Sequence, residues 1–135
     1  MIVDTSVLLA YFDGGDRQHS HVQPILESTD DELVVSPFVI AELDYMIGSR
    51  LGVRVETVVL RDLMGGAWTL AAFGRDDLHV AIGLIERYSD QNIGLADASN
   101  VVLADRYSTR TIATLDRRHF DVLRPLRGGR FSVVP

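Results

Sequence analysis

Short unbroken apolar runs alternate along the chain with longer segments whose apolar residues recur at helical spacing. Met1-Ile2-Val3 is the first such run and predicts a strand ending at Asp4, with Thr5 and Ser6 able to cap the next element. Val7 to Phe12 then predicts a buried helix, stopped by Gly14-Gly15. A helix is expected over His19 to Glu27, although Pro24 in its middle moves the expected start toward Pro24 itself. Leu33-Val34-Val35 predicts a second strand, and Ser36-Pro37 opens a helix in the cap-then-proline order. Val39, Leu43, Met46 and Ile47 form the stripe of that helix, which ends near Gly48 to Gly52. Val53 to Met64 predicts the next helix, closed by Gly65-Gly66, and Ala67 to Ala71 a third strand. Asp76 to Tyr88 is expected to be helical, with Leu78, Ile82 and Ile85 along one face. Leu95 to Tyr107 predicts a helix lined by small apolar residues, followed by strands at Thr111 to Thr114 and Phe131 to Val134. Strands that read as continuous apolar runs between helices imply a parallel sheet covered by helices on both faces. No repeat, low-complexity tract or long linker interrupts the pattern, so one α/β domain over residues 1–135 is expected.

Composition removes several kinds of chemistry. The chain has no cysteine and hence no disulfide, zinc ribbon or thiol nucleophile. It has no lysine either, which excludes a P-loop lysine and a Schiff base. No apolar run approaches the ~20 residues of a membrane span, and the N-terminus has no basic leader, so a cytoplasmic protein is expected. The 13 basic residues are all arginine and face 19 acids, for a net charge of −6. That balance argues at first against a nucleic-acid partner. The charge is uneven, however: residues 1–100 hold 6 arginines and 16 acids, and residues 101–135 hold 7 arginines and 3 acids.

Four acids occupy positions that a surface role does not readily explain. In open parallel sheets, ligands bind beyond the carboxyl ends of the strands. Asp4 follows the first strand directly, and Asp116 follows the fourth after Thr114-Leu115. Glu42 lies between Ala41 and Leu43 in an apolar helix, and Asp97 lies among Leu95, Ala96 and Ala98 at a helix start. Each has a plain alternative: Asp4 and Asp97 as helix caps, Asp116 as a turn residue, Glu42 as a solvated position. Together they suggest one acidic site, where like charges need a counter-charge. An all-oxygen donor set suits a hard cation such as Mg²⁺ or Mn²⁺, which activates water and stabilises the leaving oxygen of a phosphodiester.

Ile2-Val3-Asp4-Thr5-Ser6, Ser36 to Leu43, Leu95-Ala96-Asp97-Ala98 and Thr114 to Phe120 resemble the four acidic motifs of the PIN domain. Over its whole length the chain looks like the VapC toxins of VapBC toxin–antitoxin pairs. That resemblance implies a Mg²⁺- or Mn²⁺-dependent endoribonuclease on a five-stranded parallel sheet of order 3-2-1-4-5. It implies a homodimer, an inhibitory VapB-type antitoxin, and structured RNA such as tRNA or rRNA as substrate. Carried over by motif, Asp4, Glu42, Asp97 and Asp116 would bind the metal, with Ser6 and Thr114 holding the acids or metal-bound water. Many relatives have a further acid or Asn near the fourth motif, where this chain has Arg117, Arg118 and His119.

Beside a phosphodiester site, Arg117 and Arg118 are candidate RNA contacts, because arginine binds phosphate oxygens bidentately. His119 is expected to pack or contact RNA, and Asn100, three residues after Asp97, to bind a ligand or complete a helix face. His19 and His21 are two apart and make a poor ligand pair on a helix. Trp68, Tyr11 and Phe12 read as core or dimer surface. Two other functions compete with the nuclease. A haloacid-dehalogenase-like phosphatase fits poorly, since Ser6 replaces its second Asp and lysine is absent. A catalytically silent PIN-fold RNA- or protein-binding module is the other, against which the retention of all four carboxylates argues.

Overall fold

The computed structural model describes all residues, Met1 to Pro135. Five short strands, β1 (Ile2–Val3), β2 (Val34–Val35), β3 (Thr69–Leu70), β4 (Thr111–Ala113) and β5 (Ser132–Val134), form one sheet. All pairings are parallel and the order is β3-β2-β1-β4-β5, as the resemblance implies. The helices are α1 (Thr5–Phe12), α2 (His19–Ser28), α3 (Pro37–Leu51), α4 (Val53–Met64), α5 (Arg75–Arg87), α6 (Leu95–Arg106) and α7 (Arg117–Phe120).

Strand side chains alternate between the two faces, and that alternation sorts the core into two clusters. Val3, Val35 and Ala113 pack with Val7 and Leu8 of α1, Val22 and Leu26 of α2, Val39, Leu43 and Ile47 of α3, and Val59 and Leu63 of α4. Ile2, Val34 and Ile112 point the other way, onto Ala81 and Leu84 of α5, Ala98 to Ala104 of α6, and Phe120 of α7. Both faces are therefore covered, which is why these strands carry no polar alternation. Trp68 belongs to the first cluster, edge-on to Tyr11 with centroids 5.7 Å apart, and its indole N–H donates to Asp62 at 2.8 Å.

Two expectations change. α2 begins at His19 and continues through Pro24, rather than starting near it. A proline inside a helix costs about 3 kcal/mol, while burying one large aliphatic side chain returns roughly 1.5–3 kcal/mol. Val22 and Leu26, both buried on one face of α2, together outweigh the penalty. The exposed Ser20, whose carbonyl loses its partner, can turn that oxygen to water. The second change is α7, a single helical turn over Arg117–Phe120 where the sequence pattern predicts no element; buried Phe120 fixes it against the core.

Parallel order brings the carboxyl ends of β1 and β4 side by side, with Asp4 N–H donating to Ala113 O at 2.9 Å. Ser36, directly after β2, caps α3 through the Phe38 N–H, and its hydroxyl lies 2.6 Å from that of Ser99 on α6. That buried contact ties together the starts of the two helices that carry Glu42 and Asp97.

Candidate active site

Beyond the carboxyl ends of β1 and β4 lies a cleft of about 530 Å³. Asp4, Ser6, Glu42, Asp97, Asp116 and His119 all line it, so the four expected carboxylates come from four separate elements to one place. Asp16, from the loop before α2, also reaches the cleft.

Asp4 stands at the cap position of α1, yet its side chain makes no capping bond. It is buried and receives three other hydrogen bonds. Thr114 Oγ1 donates to Oδ2 at 2.8 Å, Ser6 Oγ donates to the same oxygen at 3.1 Å, and Asn100 Nδ2 donates to Oδ1 at 3.2 Å. A hydroxyl has one proton, so the 3.2 Å contact between Ser6 and Thr114 adds no further bond once both face Asp4. Their lone pairs are taken by the backbone: Leu115 N–H donates to Ser6 and Asp116 N–H to Thr114. Both hydroxyls are thus locked as donors toward a carboxylate held by neutral groups.

Asp97 is both a cap and a cleft residue. From the first turn of α6 its Oδ2 accepts the Gly94 N–H at 3.1 Å and lies 3.0 Å from His119 Nδ1. Its pKa is nevertheless raised, chiefly by burial, with Asp4 and Asp116 adding repulsion against the lowering effects of Gly94 and His119. Glu42, on the cleft side of α3, is also raised by desolvation first and then by Asp4 and Asp97. Asp116 sits more openly, with Arg118 Nη2 3.7 Å from its Oδ2.

No arginine lines the cleft. Desolvation and neighbouring carboxylates raise the pKa of Glu42 and Asp97 with no arginine in the cleft lining to offset them, a condition that suits a divalent metal and all-oxygen ligands. As they stand, no three acidic or histidine side chains converge tightly enough to define a metal-binding centre. The donor chemistry fits, and Asp4, Glu42, Asp97 and Asp116 are the residues that would close on the ion.

Two arginines read from the sequence part company. Arg117 Nη2 donates to Val133 O at 3.1 Å and to Pro135 O at 2.8 Å, so the structure turns its guanidinium to the β5 strand and not to the cleft. Arg118 is 78% exposed and remains beside Asp116. Further along, Arg124 bonds the Asp121 and Leu123 carbonyls and Arg127 bonds Asp105, so part of the basic C-terminal segment braces the fold. Gly129 belongs to the same bracing: its φ is +90°, and a Cβ there would lie 2.6 Å from Arg110 Nη1.

Three contacts escaped sequence reasoning: the Asn100 bond to Asp4, the His119 bond to Asp97, and Asp16 at the cleft edge. Asn100 was the most legible, as an amide three residues after Asp97 and next to the apolar run Val101 to Ala104.

The raised pKa of Asp97 has a stability consequence. The folded state favours the protonated acid, so the contribution of this group is full below its ordinary value of 3.8 and is lost as pH rises through the folded pKa. In chelator at pH 7, Asp97→Asn is expected to stabilise the fold by about 1 kcal/mol, a Tm increase of roughly 3–5 °C. At pH 3 the difference should vanish. Thermal unfolding at the two pH values checks this, and a lower Tm at pH 7 would contradict the electrostatic reading of Asp97.

The fold and the acidic cleft define a class. A family model described as PIN domain matches residues 1–124, and the chain belongs to that family. It is 58% identical to Ribonuclease VapC26 of Mycobacterium tuberculosis over 135 residues, the whole of both chains, and so is a homologue of a VapC ribonuclease. Its fold is similar to the crystal structure of Mycobacterium tuberculosis VapC20, a sarcin–ricin-loop-cleaving toxin. The TM-score is 0.79 at 18% identity, covering 85% of this chain and 88% of that one. It is also similar to VapBC2 from Rickettsia felis bound to a promoter DNA fragment, with a TM-score of 0.68 at 15% identity, covering 98% and 96% of the two chains. At those identities the structural likeness bears on fold alone.

Proposed function

We propose that this protein is a Mg²⁺- or Mn²⁺-dependent endoribonuclease toxin of the VapC type, acting in the cytoplasm on structured RNA and silenced by a VapB-type antitoxin. One observation carries the metal dependence: four carboxylates from β1, α3, α6 and the β4 end line one cleft that holds no arginine. Full-length identity of 58% to a VapC ribonuclease supports the RNA substrate, and the likeness in fold to VapBC2 is in line with an antitoxin partner. A bound divalent ion would activate water and offset charge on the scissile phosphate. The chain supplies the rest. Asp4, fixed by Ser6, Thr114 and Asn100, is the rigid ligand, and Asp97, Glu42 and Asp116 complete the set. Arg118, at the open side of the cleft, contacts a flanking phosphate. A homodimer is part of the proposal, and residues 1–135 act as one PIN domain, since β5, beyond the matched span, still pairs with β4.

The test is induction of the chain with and without a co-expressed VapB-type antitoxin, followed by mapping of RNA 5′ ends. Discrete cuts in tRNA or rRNA, suppressed by the antitoxin, are expected. Growth arrest with intact RNA would remove the ribonuclease reading. In the same framework, Arg118→Ala should weaken binding of the cut RNA while leaving Mn²⁺ affinity unchanged; equal RNA affinity would assign the phosphate contact elsewhere.

A further inference from the structure

His119 is the only basic side chain that lines the acidic cleft, and it comes from the one helix the sequence pattern does not predict. Its backbone is clamped on both sides. Phe120 is buried and meets Phe131 edge-on with centroids 6.1 Å apart, and Leu123, fully buried, donates its N–H to His119 O at 2.9 Å. Before it, the Arg117 guanidinium donates to the carbonyls of Val133 and Pro135. An imidazole has only two side-chain torsions, so a fixed backbone goes far toward fixing the ring. The ring is largely buried, with Nδ1 3.0 Å from Asp97 Oδ2. An ionised carboxylate has no proton to give, so Nδ1 is the donor in either charge state of the ring.

What this bond does follows from where the other contacts of Asp97 fall. The Gly94 N–H also donates to Oδ2, at 3.1 Å. Oδ1 takes no hydrogen bond from the chain, yet it is not a buried orphan: the only buried side-chain polar atoms without a partner are Thr5 Oγ1 and Asn100 Oδ1. Asp97 Oδ1 therefore keeps its access to water, on a residue that lines the cleft. The χ2 torsion of an aspartate is broad and roughly two-fold, so the single bond from Gly94 lets the carboxylate rock and exchange its oxygens. A second donor to the same oxygen, reaching it from α7, removes that freedom. The start of α6 is already capped through Gly94, so the helix itself needs no second donor. Asp4 shows the same division, with Ser6 and Thr114 both on its Oδ2.

We propose that His119 is a positioning residue for Asp97: its Nδ1–H pins Oδ2 and leaves Oδ1 as the oxygen that Asp97 presents to a divalent cation in the cleft. The inference rests on the metal-dependent reading above and adds to it a group outside the four carboxylates and the side chains that hold Asp4. It assigns no proton transfer to the ring. It also gives α7 a function, since this one-turn element is what carries the imidazole to the cleft.

Asparagine and leucine have the same branched shape, and an asparagine Nδ2 can stand where the imidazole Nδ1 stands, so His119→Asn and His119→Leu together isolate the donor. Mn²⁺ binding by calorimetry compares both with wild type, and thermal unfolding in chelator supplies a metal-free readout. His119→Leu is expected to bind Mn²⁺ roughly tenfold to a hundredfold more weakly, the usual effect of removing a group that orients a metal ligand. Its RNA cleavage should approach the wild-type rate as Mn²⁺ is raised. His119→Asn should bind close to wild type, and in chelator the two variants should unfold within about 3 °C of one another. Wild-type affinity in His119→Leu would overturn the proposal, as would a His119→Asn defect as deep as that of leucine. A metal-free Tm of His119→Leu far below that of His119→Asn would make the contact structural, and a rate that stays low at saturating Mn²⁺ would move His119 into the chemical step; either result also overturns it. If wild type itself binds no Mn²⁺, the metal reading falls and takes this inference with it; if wild type binds and His119→Leu is unaffected, only His119 is misassigned.

Discussion

Asp4→Asn is expected to reduce RNA cleavage on the order of a thousandfold while leaving the protein folded. The loss comes from charge. Asp4 is the best-fixed carboxylate of the cleft, and a neutral amide of the same shape cannot serve a cation in its place. Retention of the fold comes from the hydrogen bonds around it. The carbonyl oxygen of the substituted side chain can accept from Ser6 and Thr114, as Asp4 Oδ2 does now. The new NH₂ group would face Asn100, whose Oδ1 has no partner and can accept once that side chain turns over. Cleavage rates and thermal unfolding measured together check both halves. A fully active Asp4→Asn would remove Asp4 from the site, and an unfolded one would show that its charge is structural.

The second large effect is stabilisation by divalent cations. Asp97 and Glu42 repel Asp4 in a desolvated cleft with no arginine, and a bound cation would remove that repulsion. A ligand that binds only the folded state at a hundredfold excess over its Kd stabilises by about 2.7 kcal/mol. For a chain of this size that is a Tm shift on the order of 10 °C. Mn²⁺ should produce it in wild type and little of it in Asp97→Asn. An unshifted wild type would mean the carboxylates do not act as a cation site.

The fold was legible where its causes are local. Apolar runs marked β1 and β2, runs broken only by Thr69, Thr111 and Ser132 marked β3, β4 and β5, and Ser36-Pro37 marked the start of α3 because cap and proline act within a single turn. The four carboxylates were legible for a related reason: acids at strand ends or inside apolar stretches stand out without knowledge of their neighbours. What was hidden depends on contacts distant in sequence. Asn100 and Asp4 are 96 positions apart, and nothing near Asn100 says which group its amide serves. Arg117 reads as an RNA contact from its place beside the site and its bidentate chemistry, while in the fold its guanidinium binds the carbonyls of Val133 and Pro135, 16 and 18 residues further on. Pro24 misled in the opposite direction, since local backbone chemistry argues for a break that the burial of Val22 and Leu26 overrides. The net charge of −6 also reads differently now. The acids at the cleft are the proposed machinery, and Arg117, Arg124 and Arg127 of the basic C-terminal segment make hydrogen bonds within the chain.

Metal-dependent phosphodiester cleavage is the central claim, and one assay bears on it most directly. Purified wild-type protein, freed of any antitoxin, is incubated with end-labelled structured RNA in Mn²⁺ or Mg²⁺, in chelator, and in chelator followed by excess Mn²⁺. Discrete cleavage with the ions, none in chelator and recovery on adding Mn²⁺ back is the predicted result. Equal cleavage in chelator would contradict it.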